Sequence, residues 1–417
     1  MQLKTETTAV LMCFVLTYFK STVFAGTFED VQRLYENLTK YMDNKIRPVW
    51  NQSDTINITV LPYLLSLQGL NEKEQVLDTT FMVQLRWFPE TMIWNPSEYG
   101  NINSVRLSPK DTWVPDLVFE NSQKDEFLLR KQEDMKIDLK FDGYAKWNTG
   151  SQLLTSCKVA IEHYPFDIQE CYITIGKMYS ADNEVNLVTK QDKLNEINPD
   201  SNDEWKIVET RVESKPAHDG YSVVEIMIRL KRRPLFYILN VISPVLMLAF
   251  MNTLCFKIPT QSGERISFCI SLFLTFIVLL NVTTDSMPRV SKTICYLHVY
   301  IITQLLLSMV STCISIVAVR ASHVEKLEDL TPGLRLMLCC VCLNAREYMS
   351  EKADDVNDNT NKLDIDTDTT DVNFDEKPLS AVNMVSVIAQ LDNVLFLIFM
   401  MLFILSTLLG MFALLFC

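Results

Sequence analysis

The chain reads as two architectures in series: an all-β sandwich opened by one helix, then an all-α bundle of four membrane-crossing helices. Three observations point there. Composition breaks near residue 234, from mixed and polar to almost uncharged. Short strand-like pieces fill the first part, and four long apolar runs fill the second. The overall values, 48% hydrophobic content over 417 residues, hide that division. The net charge of −13 argues against a nucleic-acid partner, because an acidic surface repels phosphates.

The N-terminus carries Lys4, an apolar run over residues 9–19, and Val23-Phe24-Ala25. This order predicts a cleaved secretory signal over 1–25, with a buried helix as the alternative. The run of eleven residues is too short for a bilayer core of roughly 30 Å, which takes about 20 helical residues.

Residues 26–234 form the predicted exported domain. "FEDVQRLYENLTKYM" has helical spacing. "TINITVLPYLLSL", "TTFMVQLRWF", "DMKIDLKFDGYAKW", "QECYITIGKM" and "SVVEIMIRLKRR" are β-branched, aromatic and partly alternating, with turn signals such as Asp142-Gly143 between them. A helix followed by many short strands predicts a sandwich of about 200 residues. Cys157 and Cys171 are the only cysteines in this segment, so an oxidising compartment pairs them. Sequons place glycosylation at Asn37, Asn51 and Asn57. Asn281-Val282-Thr283 matches too, but it lies within an apolar run.

The apolar runs predict spans over 235–257, 266–284, 293–319 and 391–417. Pro244 falls inside the first, where neighbouring helices can satisfy the carbonyl it frees. An exported N-terminus and four spans put both termini outside, in a multi-pass plasma-membrane protein. The link "KIPTQSGER" is then cytoplasmic, and its Lys257 and Arg265 follow the positive-inside tendency. The segment 320–382 is also cytoplasmic. Its Cys339, Cys340 and Cys342 are candidates for palmitoylation, and burial is the default alternative. A metal site there lacks a fourth ligand. Ten acids against two lysines over 351–376 read as a solvated, disordered stretch.

The second span is patterned. Ser267, Ser271, Leu274, Val278 and Asp285 follow at steps of four, three, four and seven, which lines one helical stripe. Asn281 joins the outer end, and Glu264 precedes the stripe by three residues. Glu264 and Asp285 stand roughly 32 Å apart at 1.5 Å per residue, one carboxylate at each membrane surface. Several copies around an axis would enclose water. Serine hydroxyls would line the path, Leu274 and Val278 could close it by dewetting, and the carboxylate rings would concentrate cations. The blander reading is that small polar residues pack helix against helix.

The chain combines the thirteen-residue loop with "YPFD", "WNPSEYG" at 94–100, "WVPDL" at 113–117, "NDEW" at 202–205, "RRPLFYILNVISP" at 232–244 and "SGERIS" at 262–267. On these motifs it resembles subunits of the pentameric Cys-loop receptor family, especially the nicotinic acetylcholine and serotonin type 3 cation-selective branches. The likeness runs from about Phe28 to Cys417, the acidic segment excepted. It implies a homo- or hetero-pentamer with four further subunits, an agonist at subunit interfaces, permeant monovalent cations and surrounding lipid. It also implies a gating junction of Glu72, Lys73, Tyr164, Pro165, Phe166, Asp167, Arg232 and Pro288, with Arg232 paired to carboxylates such as Glu72 and Asp167. Anion-conducting relatives carry Pro-Ala-Arg where "SGERIS" keeps Glu264, so the likeness implies cations.

The implied ligand site comprises Met82, Glu120, Lys146, Asn148, Met178, Tyr179, Ser214 and Tyr221. Relatives that bind amines surround the cation with aromatic rings. Here Met82, Glu120 and Met178 stand at ring positions, Ser214 replaces a tyrosine, and no adjacent cysteine pair precedes Tyr221. Phe119 and Tyr179 neighbour lost rings, but adjacent strand residues face opposite ways. Three readings stay open: another agonist, with Glu120 facing a cationic group; a subunit completed by a partner; or a vestigial site. A non-conducting accessory subunit is the alternative function. No cofactor is expected, and His163, His218, His298 and His323 are too scattered to suggest an enzyme.

Overall fold

The computed structural model describes residues 26–123, 129, 135–181, 183–198, 201–216, 222–285, 287, 293–323 and 384–416. The signal segment, Tyr221, Pro288, His218 and Cys339, Cys340 and Cys342 lie outside the described residues. The chain divides into two compact units, Met1–Val159 with Ile168–Arg232, and Ala160–Asp167 with Arg233–Cys417.

The first unit opens on α1 (Phe28–Thr39). Thr27 and Asp30 close a reciprocal capping box at its N-terminus, and Leu34 and Leu38, one turn apart, face inward. The strands that follow are β1 (Ile56–Asn71), β2 (Val76–Trp87), β3 (Ser104–Leu107), β4 (Leu117–Phe119), β5 (Ile137–Lys140), β6 (Ala145–Ser156), β7 (Ile168–Lys177), β8 (Val185–Val188), β9 (Asn195–Glu196), β10 (Trp205–Pro216) and β11 (Ser222–Arg232). Among the described residues they form two sheets. One has the order β3-β5-β6-β2-β1-β8, with β9 beside β1, and the other β10-β11-β7-β4. On β6 alternation separates a buried from an open face, with Ala145, Trp147 and Thr149 buried, whereas all three residues of β4 are buried. Trp147, Trp205, Phe81 and Ile58 are among the fully buried side chains. Cys157 and Cys171 are disulfide-bonded, with Cα atoms 5.0 Å apart.

In the second unit, four helices are long and apolar enough to cross a membrane. The first, α2, covers Leu235–Lys257 and is not uniform. A π-helical turn at Ile238–Ile242 stands just ahead of Pro244, which has no N–H to donate. Next come α3 (Arg265–Asp285), α4 (Tyr296–Ser322) and α5 (Met384–Phe416). α5 begins seven residues ahead of the expected 391, because Met384–Leu391 continue the helix before the uncharged run starts. Ser308, Ser311, Ser315 and Ala318 place small side chains on the buried side of α4, which lets backbones approach. Ser311 donates to Asn252 of α2 at 2.8 Å, and Gln304 donates to Ser406 of α5 at 2.8 Å. Cys255 and Cys269 also join, tying the end of α2 to α3.

Candidate pore and ligand site

α3 has one open face. Glu264, Ser267, Ser271, Leu274, Val278, Asn281 and Asp285 are all exposed within the chain. Leu274 is 55% exposed and Val278 58%, in line with the polar residues of the same face. The Ser271 and Thr275 hydroxyls donate to the carbonyls of Ser267 and Ser271, at 2.8 and 2.7 Å, so their hydrogen-bonding needs are met along the helix. Arg265, Cys269, Leu272, Phe276 and Thr283 form the buried face, at the same steps of four, three, four and seven. Phe268, Phe273 and Ile277 flank it, half-buried.

Arg265 is fully buried and bidentate to Asp392 of α5 at 2.7 and 2.8 Å. It also donates to Ser315 of α4 at 3.2 Å and lies over the Phe256 ring at 5.4 Å. Adjacent helical residues point about 100° apart, so the chain can bury Arg265 while Glu264 stays in the open. Lys257 remains exposed, donating to Asn393 at 2.8 Å.

At the other end of the first unit's longest hairpin, Glu72 and exposed Lys73 form the β1–β2 turn. Arg232 ends β11 with its guanidinium fully buried. It meets Glu72 at 2.6 Å and Glu204 at 2.9 Å, and it lies 4.2 Å from the centre of the Trp205 ring. Burial pushes the Glu72 carboxyl above the ordinary value, and the Arg232 charge opposes this. Glu204 and Trp205 escaped the sequence reading as partners, although their motif was visible. Asn202 is the signal: its side chain accepts from the backbone N–H of both residues, at 2.9 and 2.7 Å, and fixes the turn that presents them. Tyr164, Pro165, Phe166 and Asp167 belong to the second unit, where Tyr164 packs on Tyr237 with ring centres 5.1 Å apart. His163 packs on Tyr296 at 5.5 Å, and the Tyr296 N–H donates to the Glu162 carbonyl at 3.1 Å.

The expected ligand positions fall into separate groups. Met82, Lys146 and Asn148 share the open face of the β2–β6 pair, where Gln84 donates to Asn148 at 2.8 Å. Gly150 stands opposite Met82, and a Cβ added there would lie 2.6 Å from the Phe81 carbonyl. Glu120, Met178 and Tyr179 lie by the β4–β7 pair of the other sheet. The Glu120 carboxylate fills the space over Gly176, 1.9 Å from where a Cβ would stand. Ser214 pairs with Val224 on β10 and β11. Tyr179 is 75% exposed and lies two residues past the end of β7 at Lys177, where strand alternation no longer applies. Phe119 is buried edge-on against Phe81. Asn51 and Asn57 are exposed, and Asn37 is half-buried with its amide on Tyr99 at 3.1 Å.

A profile of the neurotransmitter-gated ion-channel ligand binding domain matches residues 31–234, and one of the neurotransmitter-gated ion-channel transmembrane region matches 241–377. The chain belongs to the neurotransmitter-gated ion-channel family. Members of this family are channels, not enzymes. Human neuronal acetylcholine receptor subunit alpha-6 is 28% identical over 311 residues, 73% of this chain and 61% of that relative. Human neuronal subunit alpha-3 is 29% identical over 298 residues, 70% of this chain and 58% of the relative. The Drosophila melanogaster acetylcholine receptor subunit alpha-like 2 is 29% identical over 303 residues, 69% of this chain and 52% of the relative. This channel-family chain thus spans less than two thirds of the length of these three relatives.

Proposed function

We propose that the chain is a subunit of a pentameric, extracellular-ligand-gated cation channel of the plasma membrane, with the second span lining the pore. The open face of α3 carries the reading: a single chain leaves Leu274 and Val278 uncovered between two terminal carboxylates. Five such faces around an axis give serine-lined water, apolar rings that close it by dewetting, and rings of Glu264 and Asp285 that concentrate monovalent cations. Lipid covers the exposed side of α5. Glu72, Lys73, Tyr164 to Asp167, Arg232 and Pro288 carry motion from ligand to pore. Both termini and the sugars on Asn37, Asn51 and Asn57 are extracellular.

The relatives are named as acetylcholine receptor subunits, but Met82, Glu120 and Met178 give a quaternary amine no aromatic faces. The agonist is therefore neither acetylcholine nor serotonin. The same substitutions support a second reading, a subunit whose site a partner completes. Leu274→Thr or Leu274→Ser should open spontaneously, with currents that reverse near the sodium or potassium equilibrium. A reversal that follows chloride overturns the roles given to Glu264 and Asp285. A homomer that reaches the surface and stays silent to amines, amino acids, protons and divalent metals favours the partner reading.

A further inference from the structure

The open face of the first sheet carries a row of charged side chains. Register sets one row across it: Arg86 on β2 opposite Lys146 on β6, Lys146 opposite Asp138 on β5, and Asp138 opposite Arg106 on β3. Lys140 stands two residues along β5 on the same face. These side chains line an open cleft of about 740 Å³, with Tyr144 as an aromatic wall whose ring packs on Phe88 at 5.6 Å.

Four cations face one acid among the residues that line the cleft, and Arg106 already holds that acid, Asp138, at 3.4 Å. Arg86 spends its Nε on the neutral Gln84 side chain at 2.8 Å, which positions the guanidinium without cancelling it. Arg86 and Lys146 are thus like charges directly opposite in an antiparallel pair, an arrangement that costs stability. It stands in a chain whose net charge is −13. The next two rows of the β2–β6 pair are Gln84 opposite Asn148 and Met82 opposite Gly150.

We propose that this cleft binds a small organic anion, a carboxylate-bearing molecule whose charge sits between Arg86 and Lys146, with Lys140 and Arg106 at its margin. A carboxylate there relieves the repulsion of the Arg86–Lys146 pair and receives charge-assisted hydrogen bonds from both. Tyr144 offers a surface for the molecule's apolar body. The inference rests on the reading of Met82, Lys146 and Asn148 as ligand-site positions and names the ligand class they serve.

The test is equilibrium binding of radiolabelled succinate to the purified full chain in lipid nanodiscs, without any current being read. Saturable binding is expected, displaced by excess glutarate but not by glutamine amide, and weakened by raised salt. Arg86→Gln with Lys146→Gln should weaken it about tenfold or more, the loss of two charge-assisted contacts. Lys215→Gln, on the other sheet, should leave it unchanged, and matching melting temperatures verify that each variant folds. Absent saturable binding, or equal binding by the double variant, overturns the proposal. Inorganic phosphate that displaces succinate as well as glutarate does would also overturn the carboxylate assignment. Cation currents without succinate binding would count against this cleft alone, and succinate binding by a chain that never conducts would count against the channel reading alone.

Discussion

Among the described residues, each unit buries one arginine side chain completely, and the two are neutralised differently. Arg265, in the helical unit, meets one carboxylate in a bidentate pair, and both partners are withdrawn from solvent, Asp392 with 10% of its side chain exposed. Arg232, in the β unit, meets two carboxylates and an aromatic face, and its acids keep 19% and 41% exposure. In the helical unit both partners are withdrawn from solvent, and a match of one charge to one leaves no buried surplus. The β unit tolerates a second acid because Glu204 stays wet, while burial raises the proton affinity of Glu72 and the nearby Glu204 charge adds a smaller push the same way.

The comparison breaks most sharply at Asp392. Asp392→Ala strands the Arg265 guanidinium in an apolar interior, where breaking a buried pair costs about 3–5 kcal/mol. Loss of surface protein and a large fall in melting temperature are expected. A variant that matures normally would show that water reaches Arg265. Arg232→Ala should cost less, about 2–3 kcal/mol, because Glu204 can turn to solvent and only Glu72 is left poorly solvated. Arg232→Lys keeps the charge but loses the planar stack on Trp205, so its melting temperature should fall between those of the native chain and Arg232→Ala. Equal values for Lys and Ala would mean that the ring contact, not the charge, holds this corner.

The smallest effect is the dependence on pH. The folded pKa of Glu72 lies above its unfolded value, so the folded state holds the extra proton between the two. Within that window, just above the ordinary carboxylate value, the contribution of Glu72 to stability declines as pH rises. Glu72→Gln should flatten melting temperature against pH there, relative to the native chain. An unchanged slope would assign the dependence to another group.

Period and composition made the open face of α3 readable, because a helix turns its spacing into a direction. The Arg265–Asp392 pair was not readable. Its members are 127 residues apart, and Asp392 stands at the edge of an apolar run, where a charge looks like a boundary marker. The cationic row failed for a related reason. Alternation told which residues of β5 and β6 point outward, but only register puts Lys146 beside Arg86. Tyr179 shows the converse: a rule for strands was carried two residues beyond the strand.

The disulfide-closed loop has a practical consequence. Cys157 and Cys171 belong to the β unit, yet Ala160–Asp167 belong to the helical one. No single cut in the chain separates the two. A fragment ending at Arg232 would carry an eight-residue orphan, with Tyr164 deprived of Tyr237 and His163 of Tyr296. To express the sandwich as a secreted fragment, one should recolour that tip, replacing Ile161 and Tyr164 with polar residues. Left as they are, they would act as the adhesive by which isolated sandwiches clump.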